Sequence, residues 1–395
     1  MLGGLVGWYV YLHSQESVTT ASDAARGLNT VTPSFGGSTG STNKNQLIAT
    51  GLNSGGTGQH ATSSSPLWKV DSLPVAGMGF VVSSSSQKLY YVERANGYIF
   101  AADTNARSVT RLTDTLMPKV YEAMVSTDGG IVERSIDDSG NITTFLGSIT
   151  STSTARSQPS ALIGSYLSSN IRSIALNKAT RGVLYTLTNT QGGVDGFTQG
   201  WIGGKKTQVF SSLIGSWRMV WLPDGRMIAT ESPTDGMMGY AYQIGQNNNL
   251  TPLVRNVPGL MVTMQSGGHA FVFSSSDGNT QSLFGQASST PELLSLQTVA
   301  DKCVWLSGQS LIAYCAVPKA PPSGNFVTDW YMGLTHTTDN WWEVDLLTGT
   351  SKLIYSPSSD GVSIDVQNPM MDPSGTYISF TNGVDQSLWV LNVTQ

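Results

Sequence analysis

The chain has 395 residues, 43 of them glycine, with only 12% charged side chains and a net charge of -5. That charged share is about half the usual value for globular proteins. Lys205-Lys206 is the one adjacent pair of cations, so the basic surface that nucleic-acid binding requires is missing. Abundant Gly, Ser, Thr and Asn imply many turns, and favour one sheet-rich domain over two or three ordinary ones.

Residues 2–12, Leu-Gly-Gly-Leu-Val-Gly-Trp-Tyr-Val-Tyr-Leu, carry no charge. A membrane-spanning helix needs about 20 apolar residues. Residues 1–12 are therefore expected to be a truncated transmembrane anchor or the apolar core of a signal segment, with its aromatic residues suited to a membrane interface. A buried first strand is the weaker reading, because the next fifty residues could not carry it back into a core. Residues 13–65 are dominated by Ser, Thr, Gly and Asn and bury too little apolar surface to order themselves, so they are expected to be a flexible tether. Its reach would be on the order of 40 Å. Gly36-Gly37-Ser38-Thr39-Gly40 fits the nucleophile-elbow pattern, but that motif needs a strand before it and a helix after it, and this stretch supplies neither.

From 66 to 395 one unit recurs: apolar strand, tight polar turn, second apolar strand, an aromatic-bearing strand, turn and fourth strand. The turns between first and second strands mark it seven times. They are Ser84–Gln87, Ser126–Gly129, Asn177–Gly182, Leu222-Pro223-Asp224-Gly225, Gln265–Gly268, Ser307–Ser310 and Asp372-Pro373-Ser374-Gly375. Hairpin turns require positive φ or a local side-chain cap, which is why Gly, Asp, Asn and Ser recur there. The pattern predicts an all-β, seven-bladed propeller. Third strands are expected at Tyr98-Ile99-Phe100, Gly200-Trp201-Ile202, Tyr240-Ala241-Tyr242, Trp341-Trp342 and Leu388-Trp389-Val390, their rings filling the wedges between blades. The last repeat ends after its third strand, whereas Leu67-Trp68-Lys69-Val70-Asp71 has no partner of its own. Residues 66–72 are therefore expected to supply the outer strand of blade seven and close the ring.

On the Leu222–Gly225 and Asp372–Gly375 turns, the repeats resemble bacterial TolB-like and WD40-like propellers over about 66–395. The Trp-Asp and Gly-His signatures of eukaryotic WD40 blades are absent. Lys302-Cys303-Val304-Trp305, Tyr314-Cys315-Ala316-Val317-Pro318 and Asp329-Trp330-Tyr331 are similar to segments of membrane-anchored propellers of candidate-phylum bacteria. That resemblance implies a fold and an extracytoplasmic address, and no activity.

Cys303 and Cys315 flank the sixth hairpin, and counting inwards pairs 304 with 314 and 305 with 313, so the cysteines face each other across it. A disulfide is expected in an oxidising compartment, and no histidine lies near enough in sequence to suggest a metal site. The largest insertion on the face formed by second-to-third-strand loops is 318–340, carrying Phe326, Asp329, Trp330, Tyr331, His336 and Asp339. Rings with a few carboxylates suit carbohydrate stacking or a protein hot spot, and the competing reading folds Trp330 and Tyr331 back into the central channel. The loops Thr188–Phe197 and Glu231–Gly239, the latter with Asp235, would border the same face.

Catalysis finds little support. Of four histidines, His13 and His60 precede the domain, His269 sits at a turn on the opposite face, and only His336 is near the candidate surface, so no triad can be assembled. Glu93, Glu231, Asp235, Asp329 and Asp339 could converge as a glycosidase pair or a calcium site, or simply cap turns. The expectation is an extracytoplasmic binding or scaffolding propeller without cofactor or metal, recognising an envelope glycan or a surface protein and held to the membrane by its N-terminal anchor. A carbohydrate-active enzyme and a structural subunit of an envelope assembly are the alternatives.

Overall fold

The structure, a computed structural model, describes residues 65–394 apart from 84–85, 151–159, 202, 246–247 and 309. The expected anchor at 1–12 and almost all of the tether at 13–65 lie outside the described residues. Among the described residues no helix is long and apolar enough to cross a membrane.

The described strands form seven four-stranded antiparallel sheets, the blades of a propeller. The inner strands are β2 (Val75–Val82), β6 (Val120–Val125), β10 (Ile174–Leu176), β14 (Trp217–Trp221), β18 (Met261–Met264), β22 (Cys303–Trp305) and β26 (Val366–Met371). Six blades are simple meanders running outward from these strands. The seventh has β26, β27 (Tyr377–Asn382) and β28 (Leu388–Asn392) in sequence, and its fourth strand is β1 (Leu67–Asp71). Leu67 pairs with Leu391 and Lys69 with Trp389, so the expected closure is observed and a long sheet edge is covered.

Seven apolar clusters hold the ring, one at each seam between neighbouring blades. Val92 and Ile99 of the first blade meet Val120, Ile131 and Phe145 of the second, and Leu388 and Val390 of the seventh meet Met78, Phe80 and Tyr91 of the first. The others run two to three, three to four, four to five, five to six and six to seven. Strands buried on both faces need apolar residues at consecutive positions, which explains continuous runs such as Gly130-Ile131-Val132. Seam packing is tightest between the first two inner strands, where a Cβ on Gly77 would lie 1.9 Å from the Ala123 carbonyl oxygen.

The short turns follow the expected chemistry. Asp372 Oδ1 accepts the Thr376 and Tyr377 amides at 2.7 and 2.8 Å, and Gly375 takes φ +73°. Two details differ. Trp201 lies in the turn after β12 (Val194–Gln199) and not in the third strand, where Phe197 supplies the ring instead. The 318–340 insertion is shorter than expected, because Pro318 pairs with Asp339 in β23 (Ile312–Pro318) and β24 (Asp339–Asp345), and its middle forms a helix, α1 (Phe326–Tyr331).

Candidate functional site

In each meander the second-to-third-strand loops, and the links from one blade's outer strand to the next inner strand, open on one face, called the upper face below. Tight inner turns occupy the other. Helix α1 sits on the upper face with Phe326, Val327 and Trp330 buried in the five-to-six seam. Asp235 of blade four reaches it: Oδ2 accepts the Thr328 amide at 2.8 Å, while Oδ1 accepts the Ser276 hydroxyl. A carboxylate at the start of a helix is favourably placed for the exposed amides there.

Beneath α1 lies a buried ion cluster. Lys302, fully buried just before β22, directs Nζ to Asp339 Oδ2 at 2.5 Å, Asp365 Oδ1 at 2.6 Å and Thr337 Oγ1 at 2.8 Å. Both carboxylates are fully buried. Asp365 also accepts the Trp330 indole N–H at 2.9 and 3.0 Å and the Thr337 hydroxyl at 2.9 Å. His336 Nδ1 lies 3.0 Å from Asp365 Oδ2. A carboxylate can only accept there, so Nδ1 donates to it, from a ring whose side chain is 35% exposed. Burial alone would raise Asp365, but the Lys302 ammonium and the bonds from Lys302, Trp330 and His336 outweigh it and hold the carboxyl below its usual range. Asp339 goes the other way: burial raises it despite Lys302, and its Oδ1 has no partner among the described residues.

A second bridge crosses the upper mouth of the channel. Arg218 of β14 donates to Asp301 Oδ2 at 2.5 Å, its guanidinium lies 5.4 Å from the centre of the Tyr331 ring, and the Tyr331 hydroxyl donates to the same Asp301. Burial of the hydroxyl, with Asp301 adding to it and Arg218 opposing, holds Tyr331 well above the usual phenol value. Beside this bridge is a recess of about 860 Å³ formed by blades two, three and four. Arg134, Arg172 and Arg218 line it together with Trp217, and Glu122 is its one lining carboxylate. Arg134 is held by Glu122 and by the Ile171 carbonyl. Among the described residues no side chain engages the Arg172 guanidinium. The surrounding upper loops expose large apolar side chains: Leu116 64%, Leu213 75%, Met237 65%, Met332 66% and Leu334 68%.

The structure thus separates the residues singled out from sequence. Trp330, His336 and Asp339 meet in the ion cluster, Asp235 holds α1, and Tyr331 belongs to the channel-mouth bridge. Trp330, 5% exposed, and Asp339, 0%, are not on the surface. This corrects their reading as solvent-facing contacts; the Trp330 indole packs into the five-to-six seam, where the competing reading had it in the central channel. Asp329 is half-buried within α1. Glu231 stands apart at the end of β15 (Met227–Glu231), opposite Trp217, its carboxyl raised by burial. Glu93 is buried and accepts the Asn96 amide. Among the described residues no group of three His, Cys, Asp or Glu side chains could hold a metal ion. The disulfide forms as expected: Cys303 and Cys315 are paired in register and bonded, with Cα atoms 4.0 Å apart.

Asp365, Asp301, Arg172 and Arg218 were not singled out from the sequence, and Lys302 entered only as part of the Lys302–Trp305 resemblance. Lys302 and Asp365 did carry a signal, since each abuts apolar strand residues, Cys303-Val304-Trp305 and Ile364 with Val366, in a chain with few charges. A charge so placed must find a partner.

No family model matches the chain, and no curated protein matches it. Solved structures do resemble it. Tricorn protease aligns with a TM-score of 0.52 at 11% identity over 84% of this chain and 34% of its own, so this chain spans about a third of that protein. The β-propeller domain of the Trilobed protease from Pyrococcus furiosus, described as having an open velcro topology, gives 0.50 at 10% identity over 80% of this chain and 95% of its own. TolB from Acinetobacter baumannii gives 0.42 at 14% identity over 80% and 79%. These likenesses concern the fold alone.

Proposed function

We propose that the chain is a binding and scaffolding propeller that works outside the cytoplasm and grips a surface protein of the cell envelope through its upper face, an acidic side chain of that partner entering the arginine recess. The recess carries the reading. Three guanidinium groups line about 860 Å³; Glu122 answers Arg134 and Asp301 answers Arg218, which leaves Arg172 as the cation that no side chain engages among the described residues. A local excess of cations on a chain of net charge -5 would steer an acidic group to that spot. The apolar side chains exposed on the same loops suit the surround of a protein hot spot more than a sugar-stacking floor.

The extracytoplasmic address is supported by the apolar segment 2–12, by the Cys303–Cys315 bond and by the resemblance to membrane-anchored propellers of candidate-phylum bacteria. An envelope glycan is the second ligand class, and an acidic one would use the same arginines. A carbohydrate-active enzyme has less support, because Glu93, Asp235 and Asp339 are all engaged by internal hydrogen bonds.

The test uses the full chain as bait against envelope proteins, beside a glycan array. Wild type should retain specific proteins, Arg172→Glu should lose them, and Leu334→Asp should weaken them. Retention indifferent to both substitutions contradicts the reading. Binding to acidic glycans alone, lost in Arg172→Glu, would reassign the recess to glycan recognition.

A further inference from the structure

The lower half of the central channel holds two further cavities, and the larger shares Glu122, Ile174 and Met219 with the arginine recess above it. A cavity of about 630 Å³ is lined by blades two to seven, and one of about 490 Å³ adjoins it against blade one. Methionines 124, 219, 264, 370 and 371 line the larger one with Trp221 and Trp305. Only two charged side chains line either cavity, Glu122 and Lys178, and Glu122 is already engaged by Arg134. Lys178 follows β10 in blade three and extends across the channel to blade seven, where Nζ meets the Met370 thioether at 3.2 Å. Its backbone is fixed, since its carbonyl accepts the Thr127 amide at 3.1 Å and hydroxyl at 2.9 Å. A thioether is a weak acceptor, and among the described residues no carboxylate answers the ammonium.

We propose that the larger cavity is a binding site for small apolar monocarboxylates, with Lys178 pairing the carboxylate and the methionine and tryptophan lining taking the hydrocarbon body. The volume falls within the roughly 300–1,000 Å³ of small-molecule sites, which combine apolar walls with one or two orienting polar groups. Methionine walls adapt to alkyl and aryl shapes alike. A partly desolvated ammonium facing a soft sulfur gains more from a carboxylate than an exposed lysine would. Consistent with that, burial pulls Lys178 down to about 8, so a bound anion should restore its charge and draw in protons above that pH. The site does not depend on the upper-face reading.

The full chain, carrying 13C-methyl methionine, is titrated with decanoate below its micelle concentration, with phenylbutyrate, and with decanol. Either carboxylate should shift the methyl signals of Met124, Met219, Met264, Met370 and Met371 saturably, and decanol should bind about tenfold more weakly for want of the ion pair. Lys178→Met should erase that preference while decanol binding stays, and Arg172→Glu should change nothing. Above pH 8, calorimetry in buffers of different ionisation enthalpy should register proton uptake on binding, a readout that needs no variant. Absence of saturable shifts with both carboxylates overturns the proposal. So do equal affinities for decanoate and decanol in the wild type, or shifts confined to methionines outside the channel.

Discussion

The two faces of the ring are held together differently. On the lower face, turns of a few residues join inner strands and cap themselves, as Asp372 does for Gly375 and Thr376. Each such turn is also tied to the turn of an adjacent blade: the Lys178 carbonyl accepts the Thr127 hydroxyl, the Leu222 carbonyl accepts the Asn177 amide, Asp224 accepts the Gly267 amide, and the Asp372 carbonyl accepts the Ser307 hydroxyl. On the upper face the connections reach between blades. Asp235 of blade four holds α1 of blade six, Arg218 of blade four bonds Asp301, and Lys302, Asp339 and Asp365 lock six to seven. The lower face is closed by bonds between adjacent turns, Arg181 with Asp128 among them, whereas the upper face adds charged ties between blades that are not neighbours, such as Asp235 of blade four to α1 of blade six, and these stiffen the loops that would meet a partner.

Closure serves both faces at once, so the largest effect is expected from removing 66–72. That deletion exposes the edge of β28 and the apolar surface under Leu67 and Trp68, and should cost more than about 5 kcal/mol on apolar area and lost strand bonds. Calorimetry should show a melt lowered by many degrees, and an unchanged melt would break the account of the ring. Lys302→Met comes next. It strands two buried carboxylates, and breaking a buried pair costs about 3–5 kcal/mol. Adding Asp339→Asn and Asp365→Asn should recover much of that. A loss confined to Lys302→Met would mark the upper cluster as a lock, whereas a mild effect would erase the contrast between faces.

Glu133 sharpens the comparison because it is a buried charge without a tie. It lies 1% exposed on β7 (Gly130–Ile136), and neither carboxylate oxygen has a partner among the described residues. Burial raises its pKa from 4.5 to about 8. The folded state therefore holds the proton more tightly than the unfolded chain does. Its contribution is complete below the unfolded value and is lost as pH climbs through about 8. Unfolding measured from pH 5 to 9 should show stability falling by a few kcal/mol at most, and Glu133→Gln should flatten that slope. An unaltered slope would mean that Glu133 is ionised in the fold.

The ring was legible in the sequence because its signals are local. Turn residues at fixed offsets, apolar runs and a missing final strand specify seven blades and their closure from residues such as Asp224, Gly375 and Leu67. Facing cysteines were legible for the same reason, since hairpin register counts outward from the turn. The site was only half legible. Trp330 and Asp339 were marked by their types, but their burial depends on Lys302 and Asp365, which lie 28 and 35 positions from the indole. Arg172 and Arg218 reach the recess only through the curvature of the ring, which no local pattern records.

Photo-crosslinking on the surface of the living cell tests the central claim most directly, with a photoreactive residue placed at Leu334 on the upper face in one protein and at Leu347, 78% exposed on the lower face, in another. The account predicts a discrete adduct with an envelope protein from position 334 and none from 347, lost when Arg172→Glu is added. Adducts from 347 alone, or from both positions alike, would contradict recognition through the upper face.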